Sequence, residues 1–218
     1  MQVGTAEPTC FTVTPYRIDI IRLLDIGLSI PLILFFAPLL FVIMVLVKTS
    51  SRGPALYLHK RVGYQGETFS CFKFRTMTID ADARLARLLE QDPIARTEWM
   101  FDHKLRHDPR VTPLGRFLRR SSIDELPQLF NVLQGTMSLV GPRPIVSAEI
   151  PRYGRHFSHY TAVRPGITGL WQVSGRNNTS YRRRVALDVV YARRKSVTLY
   201  GRIMIMTVPA VLLQRGSF

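Results

Sequence analysis

The sequence predicts a mainly helical α+β protein with a membrane-embedded N-terminal helix, a small β-hairpin and amphipathic helices lying in a membrane interface. Three observations carry this reading. Residues 26–47 form 22 consecutive uncharged, mostly apolar residues, which as a helix rising about 1.5 Å per residue would cover about 33 Å, enough to cross a bilayer core. Residues 55–74 read as ALYLHKRV, then GYQG, then ETFSCFKF, two β-forming runs around a turn. Beyond them, apolar residues recur at helical spacing, first at Leu85, Leu88 and Leu89 and then at Ile123, Leu126, Phe130 and Leu133.

The first element is flanked by very different charges. The 218 residues hold 30 Lys plus Arg against 15 Asp plus Glu, a formal net charge of +15, which calls for a polyanionic partner. Up to residue 25 there are only Arg17 and Arg22 against Glu7, Asp19 and Asp25; the other 28 basic residues begin at Lys48. That bias places the C-terminal side in the cytoplasm. The apolar run starts late for a cleavable signal peptide and is followed by KTSSRG, without a small-residue cleavage site. Pro31 and Pro38 lie inside it, each removing a backbone donor. A helix broken there could enter and leave by one face, whereas a kinked spanning helix would put residues 1–25 outside; the residues alone leave both open. The chain divides into a tail over 1–16, a membrane segment over 17–48 and one domain over 49–218. A hydrophobic share of 46% excludes a disordered chain, and two cysteines, Cys10 and Cys71, exclude a disulfide framework and any four-cysteine zinc site.

Following the hairpin, an amphipathic helix is expected over 80–101, interrupted near Pro93, as a solvated accessory element. A second helix is expected from Ser122 to Leu133, with Ser122 and Glu125 spaced as a capping box. From Val197 to Leu213 the only charge is Arg202. That apolar stretch is too short to span, and should lie in the interface or complete the core.

The candidate chemistry centres on Asp124 and Glu125, preceded by Arg116, Arg119 and Arg120. Adjacent residues on a helix diverge by about 100°, so the pair cannot work as facing acid and base. Acids in a first helical turn are also ordinary caps. What distinguishes them is their company: KFRTM at 73–77, DPRVTPLGRFLRRSSIDELPQLFNVL at 108–133, MSLVGPRP at 137–144 and VRPGITGLWQVSGR at 163–176. Guanidinium forks match phosphate oxygens, and the Pro-Gly strings supply backbone that can approach a phosphate closely. His103 and His107 have i, i+4 spacing but no third ligand for a zinc site. A membrane-tethered protein holding nucleic acid would share the charge, but no helix-turn-helix or RNA-binding signature supports it.

Together with the apolar segment, these strings resemble the bacterial sugar transferases that start surface-polysaccharide assembly, the monotopic phosphoglycosyl transferases. The resemblance covers residues 17–214. It implies that Asp124 attacks the sugar-bearing phosphate of a nucleotide diphosphate sugar, a UDP-sugar, and expels UMP. Asp124 then carries the phosphosugar until polyprenyl phosphate takes it, with Glu125 as dyad partner and Mg2+ anchored by Asp124. It implies a phosphate clamp drawn from Lys73, Arg75, Arg119, Arg143, Arg164 and Arg176, and Arg22 toward the polyprenyl phosphate. It further implies a helix break at Pro38 that makes the membrane helix re-entrant, contact with membrane lipids, and a catalytic domain on the cytoplasmic face of the bacterial inner membrane. No nucleic-acid partner is expected, and the apolar segment and tail offer surfaces for a homodimer. Three positions depart from the family pattern: Ala37 stands where Ser usually precedes the proline, Ile21-Arg22 replaces a basic pair, and Tyr200 replaces an Asp.

Overall fold

The computed structural model describes residues 19–102, 105, 108–175 and 179–212. The tail over 1–16, Cys10, His103, His107 and Arg176 lie outside them. Helix α1 (Ile20–Ser50) begins at Asp19, whose side chain accepts from the Ile21 N–H. It runs through both prolines, so the break expected at Pro38 is not an interruption of the helix. A proline deprives only the carbonyl four residues earlier of its donor, and a helix this long continues on either side of that single loss. This helix is long and apolar enough to cross a membrane by length and composition.

Both ends of α1 pack on the same body. Ile21 and Leu24 join the core around Leu129, Val132, Leu139 and Ile203, while Leu40, Ile43 and Val47 join Phe74 and Leu118. Near its middle, Leu34 and Phe35 are 69% and 75% exposed. Polar anchors reinforce the two docked ends. Asp25, fully buried, accepts from the Ser138 hydroxyl at 3.0 Å, the Leu139 N–H at 2.9 Å and the Tyr200 hydroxyl at 2.9 Å. At the other end the Arg75 guanidinium donates to the Ser51 carbonyl and hydroxyl, each at 2.8 Å.

The hairpin forms as the sequence predicts: β1 (Leu56–Val62) pairs antiparallel with β2 (Thr68–Phe74), in a register that sets Tyr57 opposite Lys73 and His59 opposite Cys71. Helices α2 (Ala81–Gln91) and α3 (Pro93–Asp102) follow, parted at Pro93 as expected, and α2 buries none of its residues. Helix α4 (Pro113–Arg120) is capped by the Thr112 hydroxyl, which accepts from the Gly115 N–H at 2.9 Å. A Cβ at Gly115 would collide with the Thr76 backbone, so α4 lies directly against the end of β2.

The helix expected from Ser122 to Leu133 is divided. Ile123–Glu125 form a 3-10 turn and α5 starts later, at Gln128–Gln134. Ser122 sits in the left-handed region at φ 57° and makes no side-chain cap, so the capping box is absent. Pro127 has no N–H to carry an α-helical ladder back to Ile123, which separates the two pieces. Strand β3 (Ser138–Val140), the short helices α6 (Ile150–Tyr153) and α7 (Phe157–Thr161), and strand β4 (Gly166–Thr168) come next, with β3 and β4 parallel. The GPRP and RPGITG strings are expected to supply rigid, sharply turning backbone that can approach a phosphate closely. They flank and form this pair, and a Cβ at Gly141 or Gly166 would strike the facing strand's backbone. Helices α8 (Leu170–Val173), α9 (Tyr181–Arg194) and α10 (Val197–Leu212) are the last among the described residues. Helix α10 buries Tyr200 and Ile203 and leaves Ile205 and Val208 exposed.

Candidate active site

Three segments deliver the site. The turn Ile123–Glu125 carries the two carboxylates, β2 carries Lys73, and the loop after β3 carries Arg143. Asn131 on α5 fixes the first two relative to each other: its amide donates to the Ser70 carbonyl at 2.8 Å and its oxygen accepts from the Phe72 N–H at 2.8 Å. With the backbone at 70 and 72 clamped, Lys73 donates to Glu125 Oε1 at 2.7 Å. Loop 141–144 is held by the Gly141 N–H donating to the Thr168 carbonyl and the Gly166 N–H donating to the Pro142 carbonyl, both at 2.8 Å. Arg61 adds a bond from its guanidinium to the Pro144 carbonyl at 3.1 Å. The result sets the Arg143 guanidinium 3.5 Å from the same Glu125 oxygen, while its side chain stays 41% exposed.

The two carboxylates are therefore in opposite situations. Glu125 is locked between Lys73 and Arg143; burial pushes its pKa up, but these cations and the Lys73 hydrogen bond outweigh that and hold it below the usual carboxylate range. Asp124 is buried, and among the described residues no hydrogen bond or ion pair holds its carboxylate. Burial first, and then the neighbouring Glu125 charge, push its pKa up, with Lys73, Arg119 and Arg143 pulling the other way. Arg119 is itself oriented by a bond from its Nε to the Thr76 hydroxyl at 2.9 Å. His59 records the local positive potential: burial and then Arg61, Lys73 and Arg143 lower its pKa to about 4, so it is neutral.

Beside Glu125 lies a narrow, solvent-open cleft lined by Arg61, Lys73, Gln128, Arg143 and the backbone near Gly166. The sequence pattern does not single out Arg61 or Gln128: Arg61 sits on a hairpin strand marked only by β propensity, and Gln128 lies uncharged inside DELPQLFNVL.

Of the sequence-predicted residues, Asp124, Glu125, Lys73, Arg119 and Arg143 come together. Three others are engaged elsewhere. Arg75 is turned onto the end of α1. Arg164 donates from Nε to the Gly135 carbonyl at 2.8 Å and faces Asp19 at 4.0 Å. Arg22 donates to the carbonyls of Val132 and Leu133, capping the C-terminal end of α5. Tyr200, where the family pattern has Asp, makes its own bond to Asp25. Chemically, a lone unengaged carboxylate in a field of fixed cations is suited to attack an electrophilic phosphorus whose oxygens those cations neutralise.

The bacterial sugar transferase family matches residues 16–214. The chain is 49% identical over 199 residues to the undecaprenyl-phosphate galactose phosphotransferase of Salmonella typhimurium, an alignment covering 90% of this chain and 41% of that protein. It is 45% identical over 197 residues to the exopolysaccharide production protein ExoY of Sinorhizobium fredii, covering 90% of this chain and 87% of that one. It is 40% identical over 210 residues to the undecaprenyl-phosphate glucose phosphotransferase of Komagataeibacter xylinus, covering 90% and 36%. The chain thus spans less than half the length of the two phosphotransferases and most of ExoY. It belongs to the bacterial sugar transferase family.

Proposed function

We propose that this protein transfers a sugar 1-phosphate from a UDP-sugar to polyprenyl phosphate, releasing UMP, as the first membrane step of an exopolysaccharide or related surface glycan. One observation carries the reading: Asp124 is unengaged beside a Glu125 that is locked to Lys73 and Arg143. An oxygen of the Asp124 carboxylate attacks the sugar-bearing phosphorus. The bond from that phosphorus to the bridging oxygen breaks, and UMP departs with the bridging oxygen and the electron pair. The phosphosugar is left as an acyl phosphate on Asp124. A phosphate oxygen of the polyprenyl phosphate then attacks the same phosphorus and frees the Asp124 carboxylate, giving a polyprenyl diphosphate sugar. Each step moves negative charge onto oxygens, and Lys73, Arg119 and Arg143 are fixed in advance to meet it. Glu125 serves by holding two of these cations in place.

Magnesium fits this donor set in one way. The described residues hold no cluster of three His, Cys, Asp or Glu side chains, but Mg2+ commonly binds through one carboxylate and substrate phosphates. Asp124, with no competing bond, would hold it, and the ion would neutralise diphosphate oxygens. Arg22 could meet the lipid phosphate only by releasing the α5 carbonyls.

The same reading makes α1 re-entrant in the cytoplasmic leaflet of the inner membrane. Its two ends dock on one domain, whereas a straight spanning helix would carry them to opposite faces; the exposed apolar face along its length, from Leu23 through Leu34 and Phe35 to Phe41 and Val45, is left for lipid. The exposed face of α10 would lie in the interface. The test of the reaction is UMP release. Protein in membranes with polyprenyl phosphate should form UMP from UDP-galactose or UDP-glucose, and absence of UMP with both, and with a wider panel of UDP-sugars, would reject the reading.

A further inference from the structure

The cleft beside Glu125 contains a side chain whose placement the phosphate chemistry does not explain. Gln128 is 2% exposed yet lines the cleft together with Lys73, Glu125 and Arg143. Among the described residues its carboxamide makes no hydrogen bond. Buried amides are ordinarily paired, because an unpaired one loses its water without compensation. Asn131, three residues on and equally buried, obeys that rule through Ser70, Phe72 and Thr136. The polar atoms of Gln128 are not among the sealed, partnerless atoms of the interior, so they open onto the cleft.

Position and chemistry narrow what it meets. Gln128 follows Glu125 by three residues, at the first position of α5, and both side chains line the cleft. The cations lining the cleft suit phosphate oxygens. A hydroxyl must both donate and accept, and a carboxamide does both without charge. Of the remaining lining side chains, Cys71 is a weak donor and Pro144 and Ile167 offer no polar atoms. Building on the proposed reaction, we propose that Gln128 hydrogen-bonds a hydroxyl of the transferred sugar close to its anomeric phosphate, and so helps decide which sugar is accepted.

The test uses the whole membrane protein with Gln128→Met and Gln128→Leu, which keep the bulk and remove the amide. Because Gln128 has no protein partner, neither variant should lower the melting temperature. UMP release would be measured with UDP-galactose and UDP-glucose, and equilibrium binding with UDP, which carries both phosphates and no sugar. The expected result is a fall of about tenfold or more in kcat/KM for the preferred sugar. The preference between the two sugars should shrink, and affinity for UDP should stay unchanged. An unchanged kcat/KM, a parallel loss of UDP binding, or a lower melting temperature in both variants would overturn the assignment while leaving the reaction standing. If wild-type protein releases UMP from no UDP-sugar, the reaction itself fails and this role fails with it.

Discussion

Two basic regions of this molecule look alike in sequence and differ in what their charges face. At the start of α1, Arg164 and Lys195 both point at Asp19, at 4.0 and 3.1 Å, and Arg22 is bonded to the end of α5. Each cation there has a protein partner, and the cluster acts as a clasp between α1, α5 and α9. Around the Ile123–Glu125 turn, Lys73 and Arg143 converge on one oxygen of Glu125 and leave Asp124 without a partner. The difference teaches that a basic patch is read as a site by the group left unsatisfied in it, not by its number of arginines.

The comparison is sharpened most by Asp124→Asn. This variant should lose turnover by on the order of 10³-fold or more, with no loss of melting temperature, measured by UMP release and thermal unfolding. Asp124 has a raised pKa in the folded protein, so it binds protons more tightly there than when unfolded. Its contribution to stability declines as pH rises through that window and is a fixed cost above it. Asparagine carries no such cost. For the same reason wild-type activity should fall on the acid side at a pH above the ordinary carboxylate range, as Asp124 takes up its proton.

Glu125→Gln should cost less activity than Asp124→Asn. It should also shift that acid limb to lower pH, because it removes the neighbouring charge that raises Asp124. An unmoved limb would mean the two carboxylates do not sense each other. In the other region, Arg22→Ala should lower stability by about 1–2 kcal/mol through the lost cap on α5. If it instead raised KM for polyprenyl phosphate at unchanged stability, the clasp would have to be reassigned as a lipid site. The smallest effect is expected at Ser122. Replacement by Ala should change stability by less than about 0.5 kcal/mol, since no cap is lost, and replacement by Gly should stabilise by up to about 1 kcal/mol by relieving the left-handed backbone.

The hairpin, the long apolar helix and the helix pair parted at Pro93 were legible because each is set by local pattern. The carboxylates and Lys73, Arg119 and Arg143 stand out through the strings that contain them, and the fold brings them together. What could not be read was which arginine meets which partner. Arg75 stands two residues after Lys73, where strand alternation would put both on one face, but β2 ends at Phe74 and Arg75 is drawn to the carbonyl end of α1, a contact across 24 positions. The role of Asn131 depends on β2 lying beside α5, and Ser122 resembled a cap because its spacing to Glu125 is right while its backbone is not. Long-range packing decides the first two, and no periodicity encodes it.

If Asp124 is the nucleophile it becomes covalently loaded, and intact-mass measurement after incubation with UDP-sugar alone reads that loading. A mass increase equal to one phosphosugar is expected on the wild-type protein. The increase should map to Asp124, be absent from Asp124→Asn and disappear on addition of polyprenyl phosphate. Steady turnover with no adduct under rapid acid quench, or an adduct that maps to Glu125, would contradict it.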